Sequence, residues 1–283
     1  MNDGDALRLV TFNTLFGGYS DFGLGTPDRW KPLMTFLRSL RPDILLLQEC
    51  NFWDLLGWRR LHRAVNDIGL AGCIPAYANE TTSGHRFHSA ILLSDRVKVL
   101  AHGADRNRFH HVMGWAQLML PGVEKPLELR NVHCDPFDPR NRTREVGPLE
   151  VLADPARLSL VAGDTNGVGL GFPEPNWLKL PKHLRNGHLL PPSERGEVLV
   201  ADRGALELLD AAGFADAAVQ AGQAHVATGG FANDDVPRRQ DLILASSTVA
   251  TALSGYTVHM EPINDGTSDH AAVSAWVRLS ALR

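Results

Sequence analysis

Residues 158–166 read Leu-Ser-Leu-Val-Ala-Gly-Asp-Thr-Asn. A short apolar run, the length of a buried strand, stops at Gly163 and hands the chain to Asp164 and Asn166. The arrangement recurs. Asn13 follows Leu-Val-Thr-Phe, Gln48 and Glu49 follow Ile-Leu-Leu-Leu, and His133 and Asp135 close the run Leu-Arg-Asn-Val. Asp241 stands just before Leu-Ile-Leu, and Asp269 and His270 stand just before Ala-Ala-Val. Charges at the ends of buried strands are costly unless paired or bound to a metal. Strand ends gathered at one edge would place these groups around a common site. Glu, Asp and Asn offer hard oxygen ligands that suit Mg²⁺ or Mn²⁺. Two histidines close to carboxylates suit an anionic ester and the charge that develops on it.

The coarse pattern outside these runs is mixed. Leu7–Phe12, Ile44–Leu47, Ala90–Leu93, Trp115–Leu120, Leu127–Val132, Leu158–Ala162, Leu242–Ala245 and Ala271–Leu279 read as strands. Pro27–Leu40 has a helical apolar rhythm, with Thr26 as N-cap and Pro42 as the stop. Trp53–Leu70 and Ala201–Ala212 read as further helices, the last capped by Gly213. Residues 17–25 form a glycine-rich loop, and the Pro- and Gly-rich stretch 167–196 reads as a long surface loop. Strands and helices are interspersed without strict alternation, which favours a mixed α/β sandwich over a Rossmann sheet.

Length and composition narrow the function class. The 283 residues fit one α/β domain spanning 1–283, and 44% hydrophobic with 21% charged content is that of a globular chain. The net charge of -4 argues against a surface built throughout for nucleic acid, while leaving room for a local basic groove. Cys50, Cys73 and Cys134 have neither disulfide nor zinc spacing. The N-terminal MNDGDALRLV lacks the pattern of a secretory signal, and no apolar run approaches the roughly 20 residues of a membrane span. The expectation is a cytoplasmic chain. Oligomeric state is not legible.

Thr-Phe-Asn-Thr-Leu (11–15), Leu-Gln-Glu (47–49), Asn-Val-His (131–133), Gly-Asp-Thr-Asn (163–166), Gln-Asp-Leu-Ile-Leu (240–244) and Ser-Asp-His (268–270) resemble the ordered motifs of the endonuclease/exonuclease/phosphatase superfamily. Each run alone is weak; their order, spread over nearly the whole chain, is specific. The resemblance implies a DNase I-like, four-layer α/β/β/α sandwich of two mixed sheets, with the site at one edge. It implies Glu49 as principal Mg²⁺ (or Mn²⁺) ligand, Asn13 as ligand or support, and Asp269 as a second metal-side carboxylate. His133 is expected to contact the scissile phosphate. Asp164 orients or deprotonates the attacking water, Asn166 donates to phosphate oxygens, and Asp241 orients His270, which holds a phosphate oxygen. The chain departs from the usual pattern at Thr165, at Val132-His133-Cys134 and at Gln240, none of which removes a catalytic group.

Each residue also has a plain structural reading. Asn13 suits a turn, Glu49 a surface pair with Arg41, and Asp164 with Asn166 a tight turn. Cys134 and His133, adjacent on a strand, face opposite sides, so they are no nucleophile and base; Cys134 reads as core. Asp135 either assists the site or turns the chain before Pro136. Arg86, beside His85 and His88, is a candidate phosphate contact, and the alternative is a solvated arginine. One reading puts His110 and His111 within reach of a ligand, and the plainer reading is a surface loop. The tryptophans 30, 53, 58, 115 and 177 read as core and loop anchors. The expected activity is metal-assisted, in-line attack of water on a phosphorylated small-molecule or lipid-like phosphodiester or monoester. The alternatives are a DNA or RNA endonuclease, for which Lys182, His183, Arg185 and His188 would supply the basic stripe, a scaffold redirected to specialised small-molecule metabolism, and a non-catalytic binding module.

Overall fold

The computed structural model describes residues 4–232 and 235–283; Met1–Asp3 of the N-terminal stretch lie outside the described residues. The strands are β1 (Ala6–Asn13), β2 (Ile44–Gln48), β3 (Gly72–Ala76), β4 (Ser89–Leu93), β5 (Lys98–Asp105) and β6 (Met113–Met119). They continue as β7 (Leu127–His133), β8 (Leu158–Asp164), β9 (Ala215–Asp216), β10 (Asp241–Ala245), β11 (Leu253–His259) and β12 (Ala272–Arg278). One 6-stranded sheet runs β11-β12-β1-β2-β4-β3 and the other, also 6-stranded, runs β5-β6-β7-β8-β10-β9. Both are mixed. The pairs β1–β2 and β7–β8 are parallel, and their neighbours pair antiparallel.

Side-chain alternation divides each central strand between two cores. Leu7, Leu9, Ile44, Leu46, Leu129, Leu160, Ile243 and Val273 meet in the space between the sheets. Val10, Phe12, Leu45 and Leu47 face the other way, against Trp30, Leu33, Leu37, Trp53 and Leu61 from the helices Trp30–Ser39 and Leu55–Ile68. Val132, Cys134, Val161, Leu242 and Leu244 face the helix Gly204–Ala212 through Leu206 and Leu209. The result is the expected four-layer α/β/β/α sandwich of two mixed sheets.

Toward one end the space between the sheets turns polar. Thr11, Gln48 and Asn131 hold the same inward positions that Leu9, Leu46 and Leu129 hold one step earlier. Gln48 Nε2 donates to Thr11 Oγ1 (3.2 Å) and Asn131 Oδ1 (2.7 Å). Asn131 Nδ2 crosses to the other sheet and donates to the carbonyls of Leu47 (3.1 Å) and Ala90 (3.0 Å). This buried layer fixes the two sheets against each other immediately below the row that ends in Asn13, His133 and Asp164.

Several boundaries differ from the sequence expectation. The first helix starts at Trp30 and not at Pro27. Thr26 caps nothing there, because its backbone N–H and C=O are engaged with Ser20 across the 20–26 loop. The 167–196 stretch is not all surface loop. Val168, Trp177, Leu180 and Leu189 pack with Ala201 and Val236 into a small core of their own. Single helical turns form at Trp177–Lys179, Lys182–Gly187 and Pro192–Arg195.

The helix Pro139–Val146 has no apolar stripe and is held by charges. Arg142 is buried and donates to the carbonyls of Asp135 (3.0 Å) and Gly187 (2.9 Å). Glu145 accepts from the backbone N–H of His110 (2.6 Å) and Asp135 (2.9 Å), and burial pushes its pKa up to about 7. The Asp135 carboxylate accepts from the N–H of Phe137 and Asp138 and from Asn141, and lies 3.3 Å from His110 Nδ1. Asp135 therefore turns the chain before Pro136, one of the two roles its position allowed. Burial opposes its charge, yet His110 and these donors hold its pKa below the ordinary carboxylate range. In turn Asp135 raises His110.

Two outcomes follow for stability. Asn131→Ala should cost about 2–4 kcal/mol in urea unfolding, because it strands the buried amide of Gln48 along with two carbonyls. Replacing His110 by Gln should cost stability in a pH-dependent way. A folded-state pKa raised above its unfolded value gives stabilisation that is full below roughly pH 6.5 and is lost as pH rises through the raised value. The gap between wild type and His110→Gln should be widest below roughly pH 6.5 and should narrow as pH rises through the raised folded-state value. A gap that widens with pH would exclude the ion pair.

Candidate active site

Three neighbouring strands bring the central carboxylates and one histidine into a row. His133 is paired in register with Asp164 across β7–β8, and Asp164 with Asp241 across β8–β10. All three sit on the inward face, at the positions where the leucines of the inner core give out. Gly163 makes the approach of β8 to β7 workable. Its φ is +140, and a Cβ there would lie 2.0 Å from the carbonyl oxygen of Val132.

The facing sheet supplies Asn13 and Glu49. Asn13 Nδ2 donates to Glu49 Oε1 (3.2 Å) and to Asp164 Oδ2 (3.0 Å), so one amide ties the two sheets together across the site. Its Oδ1 accepts from Leu15 N–H (3.1 Å). Asn13 thus supports both carboxylates, and its oxygen keeps a second lone pair. Glu49 has φ +55, a left-handed turn that breaks β2 and swings the carboxylate into the site, where Phe16 N–H donates to Oε2 (3.1 Å). Burial, then the charge of Asp269, raises the Glu49 pKa to about 7.

The third contribution is the 268–270 turn. Ser268 Oγ donates to the carbonyl of Asn13 (2.9 Å) and accepts from His270 N–H (3.2 Å). Arg29, not singled out in the sequence, donates to the carbonyls of Thr267, Leu15 and Tyr19, and so fastens this turn to the loop after β1. His270 Nδ1 lies 2.9 Å from Asp241 Oδ2, and its Nε2 lies 3.8 Å from Asp164 Oδ2. Burial works against a charged ring here, but Asp241 and Asp164 outweigh it and hold the His270 pKa well above its ordinary value. His133 is the opposite case. Its Nε2 lies 3.6 Å from Asp164 Oδ2, yet burial, reinforced by His270, pushes its pKa down to about 3. Asp164 thus stands between a neutral imidazole and a charged one.

Asn166 holds a left-handed turn, φ +51, with its N–H on Asp164 Oδ1 (2.8 Å) and one amide hydrogen on the carbonyl of Cys134 (2.9 Å). Gln240, where an aliphatic residue was expected, places its amide 3.3 Å from His270 Nε2. A charged ring there calls for the amide oxygen. Arg86 does not line the cleft. Its guanidinium is held by Asp54 (2.7 Å) and Glu80 (2.9 Å). His111 is no loop-surface residue: it is buried and stacks on His133, centroids 4.1 Å apart. The apolar flanks Phe109 and Val112 were the signal for that burial.

The donors fit a divalent cation. Asp269 is close enough to raise the cost of ionising Glu49, and Asp269 Oδ1 is buried with no hydrogen-bond partner among the described residues. A hard cation satisfies both. The ligand atoms of Asp164, Asp241 and His270 also lie within 4.8 Å of one another. That second group is the poorer host, because Asp241 and His270 are already bonded to each other and the ring carries a proton.

No family model matches the chain, and no curated protein matches its sequence. Solved structures do match its fold. Truncated TDP2 of Caenorhabditis elegans is 18% identical over 97% of this chain and 98% of that one, with a TM-score of 0.59. An endonuclease/exonuclease/phosphatase family protein from Leptotrichia buccalis is 13% identical over 96% and 99%, with a TM-score of 0.63. The endonuclease domain of TRAS1, a telomere-specific non-LTR retrotransposon, is 13% identical over 97% and 99%, with a TM-score of 0.59. The chain shares the DNase I-like sandwich of the endonuclease/exonuclease/phosphatase proteins.

Proposed function

We propose that the chain is a divalent-metal-dependent hydrolase of a small phosphodiester or phosphomonoester. The observation that carries this reading is Asp164, a carboxylate set between two histidines that their surroundings push to opposite protonation states. Such a split places one charged and one neutral donor beside the carboxylate that faces the attacking water.

Glu49 and Asp269 would hold Mg²⁺ or Mn²⁺, which supplies Lewis-acid polarisation of the phosphate when bound. Asp164 accepts the proton of the attacking water and orients it in line with the ester bond, itself fixed by the Asn13 amide on Oδ2 and the Asn166 N–H on Oδ1. His270, charged and anchored by Asp241, donates Nε2–H to a phosphate oxygen as charge builds there. His133, neutral, offers a further N–H to the same group. Asn166 retains one amide hydrogen for it. Arg86, tied to two carboxylates, is assigned no contact with the phosphate.

Of the candidate basic stripe, Arg185 donates to the carbonyls of Leu180 and Leu178, while Lys182 and His183 stand exposed. Phosphate-tracking binding depends on clustered Lys and Arg, and so short a stripe in a chain of net charge -4 favours the small ester.

With Mg²⁺ or Mn²⁺ the purified protein should turn over bis-p-nitrophenyl phosphate or p-nitrophenyl phosphate, and excess EDTA should abolish that turnover. Asp164→Ala and His270→Ala should each lower kcat by roughly 10²–10⁴-fold. Turnover that survives EDTA, or that both substitutions leave intact, rejects the mechanism. Nicking of plasmid DNA at rates above those on the small esters would replace the small-ester reading with the nuclease one. Separately, Asp269→Ala should raise the Mg²⁺ concentration needed for half-maximal rate by about tenfold or more, as expected for a lost ligand contact. An unchanged metal requirement removes Asp269 from the metal site.

A further inference from the structure

Beside the catalytic row lies a cavity of about 690 Å³, open to solvent, that takes in His133, Asp164, Asn166 and His270 at its base. We propose that it is a subsite for a planar aromatic ring carried by the substrate phosphate, an aryl ester and not an alkyl or lipid chain. The proposal rests on the phosphoester reading of the site and specifies the substituent.

The composition of the wall carries the inference. Its apolar residues are Phe22, Phe87, Phe137 and Pro136; no Leu, Ile, Val or Met lines it among the described residues. Flat faces recognise flat ligands, whereas a flexible chain is held by branched aliphatic side chains. The rings also form a continuous run. Phe22 stacks on His85 with centroids 4.6 Å apart and planes 21° from parallel. His85 meets Phe87 at 6.3 Å, Phe87 meets His111 at 4.8 Å, and His111 stacks on His133 at 4.1 Å. The run therefore begins at the mouth and ends on a histidine of the catalytic row. Phe137, also in the lining, is 72% exposed and packs edge-on to His110 at 5.7 Å. Phe22 is 45% exposed. Two exposed phenyl rings lining one cleft are what a bound ring would cover.

Charge excludes the competing occupants. No Lys or Arg lines the cavity among the described residues, and Glu80 contributes a carboxylate to it. A second phosphate, and so an extended nucleic-acid backbone, has no counter-charge there. Asn79, Thr81, Thr82 and Ser83 add hydroxyls and an amide to the lining, so a ring with a polar edge is accommodated and a wholly aliphatic chain would leave them facing hydrocarbon.

The test compares phenylphosphonate with cyclohexylphosphonate, probes of the same heavy-atom count that differ in flatness. Binding to the full chain with Mg²⁺ would be measured by calorimetry, for wild type, Phe22→Ala and Phe137→Ala. Both substitutions are at exposed rings. Phenylphosphonate should bind about tenfold more tightly than cyclohexylphosphonate, the scale of one ring stacking on aromatic side chains. The substitutions should erase most of that preference while leaving cyclohexylphosphonate affinity in place. Equal affinities, binding of neither probe, or a preference that both substitutions leave intact would overturn the subsite. An aryl preference without turnover of any ester would keep the subsite and remove the hydrolase reading. Turnover without an aryl preference would do the reverse.

Discussion

The period-2 alternation of the central strands is the constraint on which the rest of this molecule depends. Inward positions carry Leu and Ile along most of each strand, then a polar layer, then Asn13, His133, Asp164 and Asp241. Because the register holds His133 opposite Asp164 and Asp164 opposite Asp241, the apolar core that closes the sandwich also aims these groups. A slip of one residue would turn His133, Asp164 and Asp241 toward the helices and put Val132, Gly163 and Leu242 into the cleft. The same register that builds the core builds the site.

The polar layer explains how such a site is kept in place. Gln48 and Asn131 join the sheets by side-chain hydrogen bonds below the row, and Asn13 joins them again within it. Each bond lies where water has little access, so an unmet partner is costly and the geometry is sharply defined. Above this frame the charges are deliberately unbalanced. Asp241 and Asp164 favour a proton on His270, burial denies one to His133, and burial with the nearby Asp269 makes the charge on Glu49 costly. That charge is what a cation would answer.

The strands legible in the sequence were the central ones, and those missed were edges. β3 and β11 border one sheet, and β5 and β9 border the other. β3 is Gly-Cys-Ile-Pro-Ala, β5 alternates exposed and half-buried residues, and β9 has 2 residues, so none shows the apolar run of a strand buried on both faces. The helix Pro139–Val146 was missed for a related reason: it docks through Arg142 and Glu145, and periodicity analysis looks for apolar faces. Arg29 was not legible as a support because it fastens a turn far away in sequence, and the stacking of His111 on His133 is likewise a tertiary contact.

The sequence by itself determined the mixed α/β sandwich and its central strands, since apolar runs mark strands buried on both faces; the four layers and the candidate site members came with the resemblance of its ordered motifs. Tertiary structure alone decided their states and duties. Asn13 donates to Glu49 and Asp164 across the two sheets, Asp135 turns the chain through the N–H groups of Phe137 and Asp138 while His110 and Asn141 reach it, and Arg86 is held by Asp54 and Glu80. His133 and His270 are the same residue type in similar strand-end positions, and only burial and the carboxylates around each ring set one neutral and the other charged.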